Sequence, residues 1–325
     1  MSAETLNAQP PVLTVIEIVD LHVSVPTDFW RPAKKLLHGL NLQVQQGEVF
    51  GFIGPNGAGK TTTLKAMLGL VRPTQGTVRI GGVPAHLPQA RQNLGFLPER
   101  SNFSGNLTAF EMVTLQARLA GMERSMAKDL ADMALAQVGL AAAAQQRLHT
   151  FSKGMLQRAA LAQACVHSPD ILILDEPMSG LDPQGRHDVR ELIVDQALRG
   201  KTVFFSTHIL ADVERICDRV GILAHGRLQH VGAPRELAGG GHPYTVTAAH
   251  LDEATRMQAH KLTAQVQEMA ASSIFTCSDV TLANRLLDCL RRGGATVLGV
   301  QGLQPSLEDL FLEAASDAPL PKRHR

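Results

Sequence analysis

Val49-Phe50-Gly51-Phe52-Ile53-Gly54-Pro55-Asn56-Gly57-Ala58-Gly59-Lys60-Thr61-Thr62 decides how this chain folds. Val49, Phe50, Phe52 and Ile53 make a short apolar run of strand length, and downstream Leu64, Met67, Leu68 and Val71 recur at i, i+3, i+4 and i+7, the spacing of one helix face. Between strand and helix, Gly54 to Thr61 meets every fixed position of GxxxxGK[ST], a loop that cradles nucleotide phosphates. Phosphate oxygens need several backbone N–H donors converging on them. Gly54, Gly57 and Gly59 let the main chain wrap that closely without a side-chain clash. A helix opening near Lys60 adds unpaired N–H groups and a positive dipole end, Lys60 supplies a point charge for the β- and γ-phosphates, and Thr61 offers a hydroxyl to Mg²⁺. Pro55, Asn56, Ala58 and Thr62 complete the expected phosphate-binding set.

Ile171-Leu172-Ile173-Leu174 is a continuous apolar run ending in Asp175-Glu176, as expected of a strand buried on both faces with carboxylates at its carboxyl end, where ligands collect in parallel sheets. Asp175 is expected to hold Mg²⁺ through water. Glu176 is expected to polarise the water that attacks the γ-phosphate, which requires a carboxylate beside the metal.

Composition sets bounds on partners. The 325 residues exceed one average domain, which predicts a large domain with a smaller one. Thirty-one basic residues against 30 acidic give a net charge of +1, with no global pull toward nucleic acid or anionic lipid, so no nucleic-acid partner is expected. Cys165, Cys217, Cys277 and Cys289 lack CxxC spacing and fall in segments that read as helix or strand, which predicts reduced, mostly buried thiols and a cytosolic setting. No stretch reaches the length of a membrane span, and Met1 to Gln9 has no apolar core, so neither a span nor a signal peptide is expected.

Further motifs carry a family resemblance. Phe151-Ser152-Lys153-Gly154-Met155-Leu156-Gln157-Arg158, upstream of the acidic strand, resembles the LSGGQ signature of ATP-binding cassette (ABC) ATPases. Ser179-Gly180-Leu181-Asp182 resembles their D-loop, and His208, after the apolar strand Val203 to Phe205, resembles their switch histidine. The resemblance runs from about Val12 to Val231. It implies an α/β fold in which a P-loop nucleotide-binding domain of mixed sheet and helices carries a helical subdomain. It also implies a head-to-tail homodimer, with each ATP and its Mg²⁺ held between the P-loop of one copy and the signature of the other. Ser152 and Gly154 then bind the partner's nucleotide, and His208 senses the γ-phosphate. A separate integral membrane permease is implied, with this subunit on the cytoplasmic face of the membrane. The family glutamine that links site to permease is replaced by Glu99 in Gly95-Phe96-Leu97-Pro98-Glu99. A carboxylate there still reaches Mg²⁺ or water but donates no hydrogen bond when ionised. Lys153 and Met155 also depart from the signature, in the manner of subunits that drive separate drug, lipid or polysaccharide exporters. The adenine-stacking aromatic falls on Trp30, with Phe29 as the alternative.

Thr108-Ala109-Phe110-Glu111 reads as a capping box opening a helix whose Met112, Leu115 and Leu119 share a face, and Leu130, Met133, Ala134 and Val138 mark another. These fill the expected helical subdomain, about residues 100–158, and the permease contact is expected near Glu99 to Phe110. The boundaries read as a flexible stretch 1–11, a nucleotide-binding domain 12–236, a small α+β domain 242–316 after Gly239-Gly240-Gly241, and a flexible basic tail 317–325. In the small domain, strands are expected at Tyr244 to Ala248, Ser273 to Thr276 and Ala295 to Val300, and helices at Leu282 to Leu290 and Ser306 to Ala315. It shows no catalytic constellation, so dimer support or regulation is its expected role. A soluble ABC-type switch on DNA or ribosomes fits less well, since the chain has one cassette, no sustained heptads and balanced charge. A P-loop GTPase or kinase leaves the signature segment without a role.

Overall fold

A computed structural model of the chain describes residues 13–25, 34–100, 103–237, 244–263, 265–269, 271–302 and 307–316. They divide into two compact units, with the boundary between Pro234 and Arg235 and the second unit closing at Glu313.

The first unit is built on two sheets. β1 (Thr14–Val25) and β2 (Lys34–Gln45) pair with β4 (Gln75–Ile80) and the short β5 (Val83–Pro84) in an antiparallel sheet of order β2-β1-β4-β5. The second sheet has the order β10-β9-β3-β8-β7-β6. In it β3 (Val49–Ile53), β6 (Leu94–Leu97), β7 (Ile171–Asp175), β8 (Thr202–Thr207) and β9 (Arg219–Ala224) run parallel, and β10 (Arg227–Gly232) closes the edge antiparallel to β9. β3, β7 and β8 are buried along their whole length, as strands covered on both faces must be. Phe204 stacks on Phe50 at 5.5 Å and leans on Phe52 at 5.4 Å, so β3 and β8 lock through aromatic contact at the centre of the core.

Helix α1 (Lys60–Met67) begins at the expected residue but ends before the periodicity does. Gly69 takes a φ of 69°, which stops the helix, and Val71 reaches the same core from beyond its end. Helices α2 (Ala109–Leu119), α3 (Arg124–Gln137) and α4 (Lys153–Cys165) share a core of their own. The capping box is present: Glu111 N–H donates to Thr108 Oγ1 at 3.1 Å, and Thr108 N–H donates to Glu111 Oε2 at 2.8 Å. The buried face of α2 is a correction. Ala109, Met112, Val113 and Ala117 point inward, whereas Leu115 and Leu119 are 51% and 73% exposed; on α3, Met133 is likewise outside. Ala117, Ala127 and Ala131 are fully buried in this core beside Met112, Val113 and Leu135.

The rest of the first unit comprises α5 (Pro183–Leu198), capped by Asp182, and α6 (Leu210–Ile216); α7 (Pro234–Leu237) straddles the boundary. Cys217 lies just past α6 rather than within an element. The four cysteines are free, and against the expectation of mostly buried thiols Cys277 is buried while Cys165, Cys217 and Cys289 are part-buried; desolvation still pushes the Cys165 thiol up to about 12 and that of Cys217 well above its ordinary value.

The second unit runs β11 (Tyr244–Ala249), α8 (Glu253–Leu262), β12 (Gln265–Glu268), β13 (Ser273–Cys277), α9 (Val280–Arg292), β14 (Thr296–Gly302) and most of α10 (Leu307–Ala315), whose last two residues lie past the unit's end at Glu313. Its antiparallel sheet has the order β12-β13-β11-β14, a ferredoxin-like β-α-β-β-α-β arrangement. Val246, Ala248, Phe275 and Cys277 from the sheet meet Ala259 of α8 and Ala283, Leu286 and Leu290 of α9. Helix α8 and strand β12 escape the sequence reading because α8 is polar overall and β12 carries one apolar residue, Val266.

Candidate nucleotide site

β3, β7 and β8 deliver three loops to one edge of the central sheet. Ile53 stands in register with Thr207, and Asp175 with Ser206, so Gly54, Glu176 and His208 leave the sheet together.

Gly54 has no room for a side chain, since a Cβ there would run into the Leu223 carbonyl. Gly57 and Gly59 have φ of 82° and 112°, a region open to glycine, and Gly59 caps α1. Ala58 is buried, and its carbonyl accepts from Gly226 N–H at 3.0 Å, which ties the loop to the β9–β10 turn. Lys60 is 7% exposed. Its Nζ donates to the Gly54 carbonyl at 2.7 Å and lies 3.4 Å from Glu176 Oε1. The other carboxylate oxygen of Glu176, Oε2, accepts from His208 Nδ1 at 2.9 Å. Glu176 thus sits between a lysine and a histidine.

Glu176 adopts a φ of 50°, a left-handed conformation that costs a non-glycine residue about 1 kcal/mol. Its N–H is held by the Ser206 carbonyl at 3.2 Å and by Ser206 Oγ at 3.0 Å. The same hydroxyl donates to Asp175 Oδ1 at 2.6 Å, so one serine fixes both acidic residues. Burial pushes the Asp175 carboxyl above its ordinary range, opposed by hydrogen bonds from the Ser206 and Thr61 hydroxyls; the charges of Glu99 and Glu176 push it further up.

A cleft of about 460 Å³ is lined by Pro55, Asn56, Gly57, Gly59, Lys60, Thr61, Thr62, Glu99, Glu176 and His208, joined by Lys34, Leu36 and Ser179. Gly54, Ala58 and Asp175 are buried beneath it. Ser152 and Gly154 are not among its lining residues. Ser152 instead caps α4, its Oγ accepting from Met155 N–H at 3.3 Å. Trp30 and Phe29 lie outside the described residues. Sequence reasoning missed Ser206 as a site residue, although a hydroxyl ending the apolar run Val203 to Phe205 is a readable sign. Lys34 and Leu36 come from β2, and no motif announces them.

The cleft fits a polyphosphate: a glycine-walled loop, a helix N-terminus and a buried ammonium face it together. It also fits a hard cation. Thr61, Asp175 and Glu99 offer oxygen donors, and a carboxylate whose charge is disfavoured by burial is one that a cation relieves. Among the described residues no three His, Cys, Asp or Glu side chains gather as a metal site of protein ligands alone. A cation held by these donors would complete its shell with phosphate and water oxygens, as Mg²⁺ does.

Comparison with known proteins agrees. The sequence family described as ABC transporter matches residues 37–179. Over 308 residues the chain is 39% identical to the uncharacterised ABC transporter ATP-binding protein sll0415 of Synechocystis sp., spanning 94% of this chain and 86% of that one. It is 40% identical over 219 residues to Nod factor export ATP-binding protein I of Burkholderia lata, covering 65% of this chain and 72% of the relative. A solved ATP binding subunit of an ABC transporter superposes with a TM-score of 0.61 at 32% identity, over 69% of this chain and 92% of that one. Phosphate loop, acidic strand and histidine share one cleft on this fold, and the chain belongs to the ATP-binding proteins of ABC transporters, a family that hydrolyses ATP.

Proposed function

We propose that this chain is the ATP-hydrolysing subunit of an exporter whose membrane-spanning part is a separate chain, and that two copies close head to tail over ATP. The observation that carries the reading is the Lys60–Glu176–His208 arrangement at the mouth of the glycine loop. Lys60 and the loop amides bind the β- and γ-phosphates. Thr61, Asp175 and Glu99 hold Mg²⁺, which when bound neutralises charge on the phosphate oxygens. Glu176, oriented from both sides, polarises the attacking water, and His208 reaches the γ-phosphate beside it. Ser152 and Gly154 lie outside the cleft of their own chain, which supports a nucleotide contact made across a pair of copies, with the capped end of α4 facing the partner's γ-phosphate. In this reading Trp30, or Phe29, stacks on the adenine.

The permease seat is proposed at a cleft of about 490 Å³ beside the loop after β6, where Leu68, Leu70, Phe96, Pro98 and Phe103 converge with Arg91, Gln116, Gln163 and His167 around them and Leu70 is 66% exposed. Glu99 follows Pro98 directly and lines the nucleotide cleft, so one short loop borders both. Among the described residues no helix is long and apolar enough to cross a membrane. Export rests on the likeness to the Nod factor export protein, and a place on the cytoplasmic face follows from pairing with a membrane permease. The test is purification of the chain from its native membranes: a multi-span membrane protein is expected to come with it. Recovery without any membrane protein would remove the transporter reading.

A further inference from the structure

We infer that Gln157 is a positioning residue for Glu176, acting from α4 through the carbonyl of Pro177. This rests on the reading of Glu176 as the group that polarises the attacking water. Glu176 N–H is fixed by Ser206 on the upstream side. The downstream side is Pro177, whose φ is set by its ring. Its carbonyl accepts from Gln157 Nε2 at 2.7 Å, a buried hydrogen bond from a side chain that is 8% exposed. Ring and hydrogen bond together stiffen the backbone where it leaves Glu176, a residue already held in a left-handed conformation. The same helix follows the loop further: at Gly180, with a φ of 66°, a Cβ would run into Lys153 Nζ, and a Cβ on Gly154 would come within 4.0 Å of Leu181. Gln157 supplies the buried polar contact in that seam. Its loss leaves the Pro177 carbonyl without this donor and frees the Glu176 carboxylate to wander from Lys60 and His208.

The test uses the full chain. Gln157→Met keeps length and bulk but has no donor. Its kcat is expected to fall about tenfold, toward the ~10²-fold that a 1 Å misplacement of a reacting group costs, with ATP affinity within about twofold of wild type. In a Glu176→Gln background the same substitution is expected to change the residual rate by less than about twofold, because the role runs through Glu176. An unchanged kcat in Gln157→Met, or an equal loss in both backgrounds, would overturn the inference. Wild-type turnover in Glu176→Gln alone would instead overturn the reading of Glu176 on which it rests. If the methionine variant does not fold, Gln157→Glu decides. A protonated glutamic acid donates to the carbonyl and an ionised one does not, so its activity relative to wild type is expected to rise as pH falls. A pH-independent ratio would overturn the inference.

Discussion

Replacing Ser206 with alanine removes a hydroxyl that serves two acidic residues at once. The larger loss is the 2.6 Å bond to Asp175, a hydrogen bond to a buried carboxylate, worth about 1.5–3 kcal/mol. The Glu176 N–H keeps the backbone carbonyl of residue 206 at 3.2 Å, so the second loss is small. A net cost of about 2 kcal/mol lowers the melting temperature of the first unit by roughly 4–8 °C. The deficit depends on pH with a definite sign. Burial raises the folded-state pKa of Asp175 above its unfolded value, so the stability gained by its protonated form is complete below the unfolded pKa and lost as pH rises through the folded one. Ser206→Ala removes a hydrogen bond that opposes the shift and raises the folded pKa further. The gap between variant and wild type therefore widens as pH climbs. Calorimetric melts of nucleotide-free protein at about pH 5 and about pH 8 measure it. A gap that is absent at pH 8, or larger at pH 5, would refute the role given to this hydroxyl.

Lys60→Ala is expected to weaken ATP binding by roughly 10- to 100-fold, since charge-assisted contacts contribute about 1.5–3 kcal/mol and 1.4 kcal/mol is one decade. Titration calorimetry checks this, and undiminished affinity would remove the phosphate-site reading. Glu176→Gln is expected to keep ATP binding while turnover drops by about 10²–10⁴-fold, the range for a general base. A steady-state ATPase assay decides, and wild-type turnover would remove the assignment.

How far the sequence could be read differs sharply along the chain. The glycine loop, the acidic strand and the capping box at Thr108 are local devices in which spacing and residue type determine geometry, and each stands where its motif put it. The buried face of α2 differs from the one its large apolar residues mark, because Ala117 is fully buried among the packed helices while Leu119 stays exposed. In the second unit, α8 escaped because its buried residues are Thr255 and Ala259, which carry little hydrophobic signal. Ser206 meets Asp175 across 31 residues of chain and Gln157 meets Pro177 across 20, contacts that no local pattern encodes. Lys34 and Leu36 reach the cleft because β2, from the other sheet, passes beside Gly59, a long-range placement no local motif carries.

In the proposed function two copies close over ATP, each completing the other's site with Ser152 and Gly154. Sedimentation of Glu176→Gln under saturating ATP and Mg²⁺ decides whether they do. A nucleotide-dependent dimer is expected, reverting to monomer when nucleotide is withdrawn; a monomer at every ATP concentration would contradict it.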